Sequence, residues 1–132
     1  MLGGRFEHIA QLLEKSAAPE RLGVCFDTCH AFAAGYDLRT PEAYGQTFAR
    51  LNSLAGLEQL KAIHLNDSRG KLGGRLDRHE HIGLGQLGLE PFRLLLNDPR
   101  FAQLPMVLET PKGKELKEDV ENLATLRGLL AG

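Results

Sequence analysis

"KAIHLND", residues 61–67, is a short apolar run that ends on a histidine and then turns polar. Two other stretches have the same form: "RLGVCFD" ends at Asp27 and "LPMVLET" ends at Glu109. Each reads as a short buried strand bounded by polar residues. Helical patterns separate them. "RFEHIAQLLEKS", residues 5–16, places Phe6, Ile9, Leu12 and Leu13 on one face, and Thr40-Pro41-Glu42 is a helix start with Thr as N-cap and Pro at the first helical position. That helix is expected to bury Ala43, Tyr44, Thr47, Phe48 and Leu51. "LEPFRLLLND" reads as a third helix, and a last one runs through Val120, Leu123, Leu126 and Leu130. The order α-β-α-β-α-β-α argues for parallel strands covered by helices.

All three strands stay apolar until their C-terminal ends, where a metal-ligand type appears: Asp27, His64 and Glu109. Side chains alternate across a strand, so these residues share a face with Cys25, Ala62 and Val107. In a parallel α/β barrel that face is the interior, and functional residues collect at the C-terminal strand ends and the loops after them. The fold class expected is therefore α/β, part of a (β/α)8 TIM barrel. A full barrel takes roughly 250 residues, and this chain has 132. Three parallel strands cannot close, and open edges invite pairing. Residues 1–132 are expected to form one partial barrel domain, the C-terminal half of a larger barrel whose N-terminal half is absent.

Composition narrows the function classes. Sixteen Lys and Arg against seventeen Asp and Glu leave a net charge of −1, so no global basic field advertises nucleic acid. No apolar run reaches membrane-spanning length, and no signal-peptide pattern opens the chain. The two cysteines, Cys25 and Cys29, do not make a disulfide framework, which points to a reducing cytoplasm. The local composition of residues 64–85, "HLNDSRGKLGGRLDRHEHIGLG", is different: three histidines, two aspartates, three arginines and five glycines, with little that could build a core.

Six residues form the candidate metal set: Asp27, His30, His64, Asp77, His79 and Glu109. His30 follows Asp27 by three residues in the next loop, and the D-x-H pair Asp77/His79 can close on the same ion. Mixed histidine and carboxylate ligands suit catalytic zinc, and also manganese or iron. Two adjacent clusters favour a multinuclear site and phosphoester hydrolysis, where metals polarise the phosphoryl oxygen, generate hydroxide and stabilise the leaving oxygen. Singly, each residue has an ordinary explanation. A strand-end Asp caps a helix, a lone His packs or is solvated, Arg69, Lys71, Arg75 and Arg78 are solvated charges, and Gly73-Gly74 is a loop. Cys29 beside His30 reads as a thiol–histidine pair, but no oxyanion device accompanies it. The ordinary readings lose force because six candidates fall at one end of one sheet.

"GVCFDTCHAFAAGYDL", the 64–85 stretch and "VLETP" together strongly resemble the bacterial endonuclease IV family of apurinic/apyrimidinic endonucleases, over nearly the whole chain. The resemblance implies an eight-stranded barrel with three zinc ions at its C-terminal mouth (manganese is the alternative metal). It also implies cleavage of double-stranded DNA 5′ to abasic sites in base excision repair. By that resemblance Asp27, His64 and Glu109 match three ligands of one zinc in a binuclear pair, and His30, Asp77 and His79 match the protein ligands of the third. The D-R-H match favours His79 over its neighbour His81. The metals supply the attacking hydroxide, so no separate catalytic side chain is expected. Arg75 and Arg78, with the backbone of Gly73 and Gly74, are candidate DNA phosphate contacts.

The family's remaining ligands, two histidines and a bridging glutamate, belong to earlier strands. Phe6-Glu7-His8 resembles the helix just after the strand bearing that glutamate, so His8 is no substitute. The isolated chain is therefore expected to have little or no nicking activity. Two other readings compete: a divalent-metal sugar isomerase of the same barrel class, which leaves the D-R-H loop and its arginines without a task, and a non-catalytic fragment.

Overall fold

The computed structural model describes Phe6, residues 24–108 and residues 117–130. The helix expected over residues 5–16 lies outside them except for Phe6, as does Glu109. Three parallel strands form one sheet in the order β1 (Val24–Asp27), β2 (Leu60–Leu65), β5 (Met106–Leu108). A second, two-stranded antiparallel sheet pairs β3 (Asp67–Ser68) with β4 (His79–Glu80). Helices α1 (Thr28–Ala33), α2 (Pro41–Leu54), α3 (Glu90–Leu96) and α4 (Lys117–Gly128) accompany them. This is mixed α/β architecture of the kind a TIM barrel is built from. The short helix α1 and the β3–β4 ribbon stand where the sequence pattern suggested only loop.

The parallel sheet has two unlike faces. Val24, Phe26, Ile63 and Leu65 are buried beneath the helices, in one core with Tyr44, Phe48, Leu51, Phe92, Leu95 and Phe101. Phe48 is at its centre, 4.9 Å from Phe26, 4.8 Å from Tyr44 and 5.0 Å from Phe101 between ring centroids. On the other face the register sets Asp27 beside His64 and His64 beside Val107. Cys25 and Val107 are exposed there, so among the described residues the strands are covered on one side only.

Helix α2 begins as its sequence dictates: Thr40 Oγ1 accepts the Ala43 N–H at 3.1 Å, with Pro41 at the first helical position. Its buried stripe is Tyr44, Thr47, Phe48 and Leu51; Ala43 is half-buried. Tyr44 donates its hydroxyl to Asp98 at 2.7 Å. Asp98 also caps the 3-10 turn Pro99–Phe101 and pairs with Arg100 at 2.7 Å. Burial pushes the Asp98 carboxyl up, but its bonds from Arg100 and Tyr44 outweigh that and hold it below the usual carboxylate range. A depressed carboxyl adds stability above its unfolded pKa, and that contribution is lost as pH falls through the folded value. Asp98→Asn is expected to cost about 2 kcal/mol at neutral pH. Urea unfolding should show the gap between variant and wild type closing below about pH 4.

The last helix forms over Val120, Leu123 and Leu126 as expected and ends at Gly128, before Leu130. Leu126 is buried, but Val120, Leu123 and Leu130 are exposed, and among the described residues of that helix the other buried one is polar Asn122. The apolar spacing marks the helix without fixing its inward face. Asn122 faces inward with Leu126 and hydrogen-bonds the loop after β4.

Candidate metal centre

The site begins where β1 passes straight into α1. Asp27 is the last residue of the strand and the N-cap of the helix, its Oδ1 accepting the His30 N–H at 3.0 Å. The ordinary reading of a strand-end Asp as a helix cap therefore holds, but only for one oxygen. Oδ2 accepts the Asn66 amide at 3.2 Å and lies 3.6 Å from His79 Nε2 and 3.9 Å from His64 Nδ1. Buried Thr28 fixes this strand end to its neighbour: its hydroxyl donates to Asn66 O at 2.6 Å and accepts the Asn66 N–H at 2.9 Å. His64 arrives from the adjacent strand, directly beside Asp27 in register.

The β3–β4 ribbon folds the polar stretch back over α1. Ser68 pairs with His79, and the Arg69 N–H donates to Arg78 O at 3.0 Å. Asp77 Oδ2 meets His30 Nδ1 at 2.8 Å, while Asp77 Oδ1 is 3.8 Å from His79 Nε2. Five of the six candidates thus converge from three segments, with His79 between the carboxylates of Asp27 and Asp77. All five are partly accessible. The sixth, Glu109, lies outside the described residues. His81 turns elsewhere, its Nδ1 3.1 Å from Asn122.

Cys29 sits underneath, fully buried, its thiol donating to Arg78 O at 3.3 Å. Its sulfur lies within 4.8 Å of ligand atoms of Asp77 and His79. Burial pushes the thiol up to about 12, so it is a neutral donor that ties the ribbon to α1 rather than a nucleophile. In the arginine-bearing loop, Arg75 and Arg78 are exposed. The loop is fastened to the end of α1 by Gly73 N–H to Phe32 O and Arg75 N–H to Ala33 O, both 2.9 Å. The N–H groups of Gly73 and Gly74 are already donated, to Phe32 O and Lys71 O. For a phosphate this leaves the guanidiniums as donors. Arg75 holds a left-handed backbone, φ 60°.

Sequence reasoning missed Asp67, Asn66 and Asn122. Asp67 is fully buried and accepts the N–H groups of Ser68, Gly83, Gly85, Leu87 and Gly88 at 2.8–3.3 Å. The available signal was an acidic residue opening a stretch rich in glycine, whose free N–H groups need an acceptor.

Imidazole nitrogens and carboxylate oxygens that converge without a lysine or arginine among them form a donor set that fits a divalent cation. The chain belongs to the xylose isomerase-like TIM barrel family, whose model matches residues 1–126. Within that family it is similar to bacterial endonuclease 4 proteins. It is 60% identical over 131 residues to the probable endonuclease 4 of Chloroflexus aurantiacus, covering 99% of this chain and 46% of that protein. The probable endonuclease 4 of Geobacter sulfurreducens is 56% identical over 129 residues, covering 98% and 44%. The crystal structure of endonuclease IV from Thermus thermophilus superposes with a TM-score of 0.82 at 43% identity, covering 97% of this chain and 44% of that one. The chain spans about half the length of the relatives it matches. Among the described residues, no helix is long and apolar enough to cross a membrane.

Proposed function

We propose that this chain carries part of the active site of a zinc-dependent endonuclease that cleaves double-stranded DNA 5′ to abasic sites in base excision repair. The observation that carries the reading is the convergence of Asp27, His30, His64, Asp77 and His79 at the C-terminal end of the parallel sheet. The similarity to proteins named endonuclease 4 supports DNA as the substrate. Asp27 and His64, with Glu109, would hold one ion; His30, Asp77 and His79 would hold another. Zinc bound there supplies Lewis-acid polarisation of a phosphoryl oxygen and an activated water at neutral pH. The protein's own groups position and orient. Asn66 and the helix cap immobilise Asp27, and the Cys29 thiol and ribbon pairing set Asp77 and His79 against His30. Exposed Arg75 and Arg78 are placed to hold the phosphates flanking the cut. Their contribution is positional, and salt should weaken it.

The ligands in this chain are one share of the site; two histidines and a bridging glutamate come from the N-terminal half of the barrel. The chain alone should therefore nick poorly. Joining it to the N-terminal half of the Chloroflexus relative should restore incision of a duplex holding one abasic site, by at least about 10³-fold over the chain alone. EDTA should abolish that incision. If the joined protein leaves abasic DNA intact but interconverts an aldose and a ketose, the sugar isomerase reading replaces this one.

A further inference from the structure

Helix α4 buries an asparagine beside Leu126 while leaving Val120 and Leu123 exposed, which apolar area alone does not favour. Asn122 lies 3% exposed against the two residues that follow β4. Its Oδ1 accepts the Ile82 N–H at 2.9 Å. A backbone N–H can only donate, so this bond fixes which end of the amide is oxygen. Nδ2 is then the atom 3.1 Å from His81 Nδ1. An amide NH2 can only donate, so Nδ1 of His81 is the acceptor and the ring proton resides on Nε2. One amide thereby sets a backbone position and a tautomer at the two residues next to β4, which ends at Glu80 and begins at His79.

We propose that Asn122 is a positioning residue for the metal centre: by holding His81 and Ile82 on α4 it keeps His79 facing Asp27 and Asp77. The proposal rests on reading His79 as a metal ligand. Groups that orient ligands from outside the coordination shell typically change metal affinity 10–100-fold when removed. Here the effect passes through three residues of chain, so the lower end is expected.

The test uses the full chain as wild type, Asn122→Ala and Asn122→Asp. Zinc affinity is measured by competition with a chromophoric chelator, and the proton position on His81 by 15N-resolved NMR of the imidazoles. In the wild type His81 should carry its proton on Nε2. Asn122→Asp keeps the acceptor for Ile82 but turns an oxygen toward His81, so the ring proton should move to Nδ1 while zinc affinity stays within about threefold. Asn122→Ala should lose about tenfold in zinc affinity. A wild-type His81 protonated on Nδ1 overturns the proposal, as does an alanine variant that is folded by circular dichroism and binds zinc like wild type. If the alanine variant does not fold, the aspartate variant decides: an unmoved proton overturns the latch and a moved one with retained affinity supports it. A wild type that takes up no zinc sinks the metal reading itself, and the proposal with it; a wild type that binds beside an unaffected alanine variant sinks the proposal alone.

Discussion

Asp67→Ala is expected to destabilise the chain by about 4 kcal/mol, because one side chain satisfies five backbone donors. Oδ1 accepts from Ser68 and Leu87, both at 2.8 Å, and Oδ2 from Gly83 and Gly85 at 3.0 Å and Gly88 at 3.3 Å. Burial pushes the carboxyl above its usual range, and the N–H bonds offset this only in part. Hydrogen bonds to a charged acceptor contribute roughly 1.5–3 kcal/mol each before desolvation is subtracted, and water can replace some once the side chain is gone. The net of about 4 kcal/mol allows for both. Asp67→Asn should recover little, since its amide nitrogen turns two donors toward donors. Gly85 belongs to the same device: a Cβ there would stand 2.6 Å from Asp67 Oδ1, so Gly85→Ala should push the loop off its clamp. Urea denaturation checks both. An Asp67→Ala chain within about 1 kcal/mol of wild type would show that the loop does not depend on this carboxylate.

The parts of the fold readable from sequence were those decided by local rules. Thr40 and Pro41 start α2 by capping chemistry that needs no tertiary partner, and the strand ends at Asp27 and His64 were marked by a sharp change from apolar to polar residues. Asp27 and His64 were legible together because parallel topology brings strand ends to one rim, and His30, Asp77 and His79 through their spacing to these strands and to each other. Long-range pairing was not legible. The ribbon β3–β4 has only two residues on each side, too short to carry a period, and is held by Asp67, which contacts residues up to 21 positions later. Helix α1 was hidden because six residues following a strand give no room for an amphipathic pattern. For α4 the apolar period predicted the helix but not its inward face, where Asn122 reaches 40 residues back to Ile82.

Asp77→Ala should separate a metal site from a solvated loop, because the two readings assign that residue very different weights. Without metal, Asp77 faces His30 at 2.8 Å and His79 at 3.8 Å, and the side chains of Asp77 and His30 are about one-third exposed at 33% and 28%. Pairs this accessible contribute roughly 0–1 kcal/mol, so the variant without metal should unfold almost where wild type does. In the proposed zinc site Asp77 would be one of three protein ligands, with His30 and His79. Losing it should lower affinity roughly a hundredfold, which is about 2.7 kcal/mol of binding free energy. At zinc a hundred times above the wild-type dissociation constant, wild type gains about 2.7 kcal/mol of stability and the variant only about 0.4. Thermal unfolding with and without zinc should therefore show a large shift for wild type, a small one for Asp77→Ala, and a wild-type-sized shift for Arg93→Ala. Arg93 pairs with Glu90 on the exposed side of α3, away from the candidate ligands, so it controls for general charge effects. Equal zinc shifts in wild type and Asp77→Ala would remove Asp77 from the metal centre, and a wild type insensitive to zinc would return the whole stretch to a solvated loop. The carboxylate matters for a physical reason. In the proposed site His30 and His79 would bind as neutral ligands, and Asp77 would bring the negative charge that lets the pair retain a divalent cation while water competes for it.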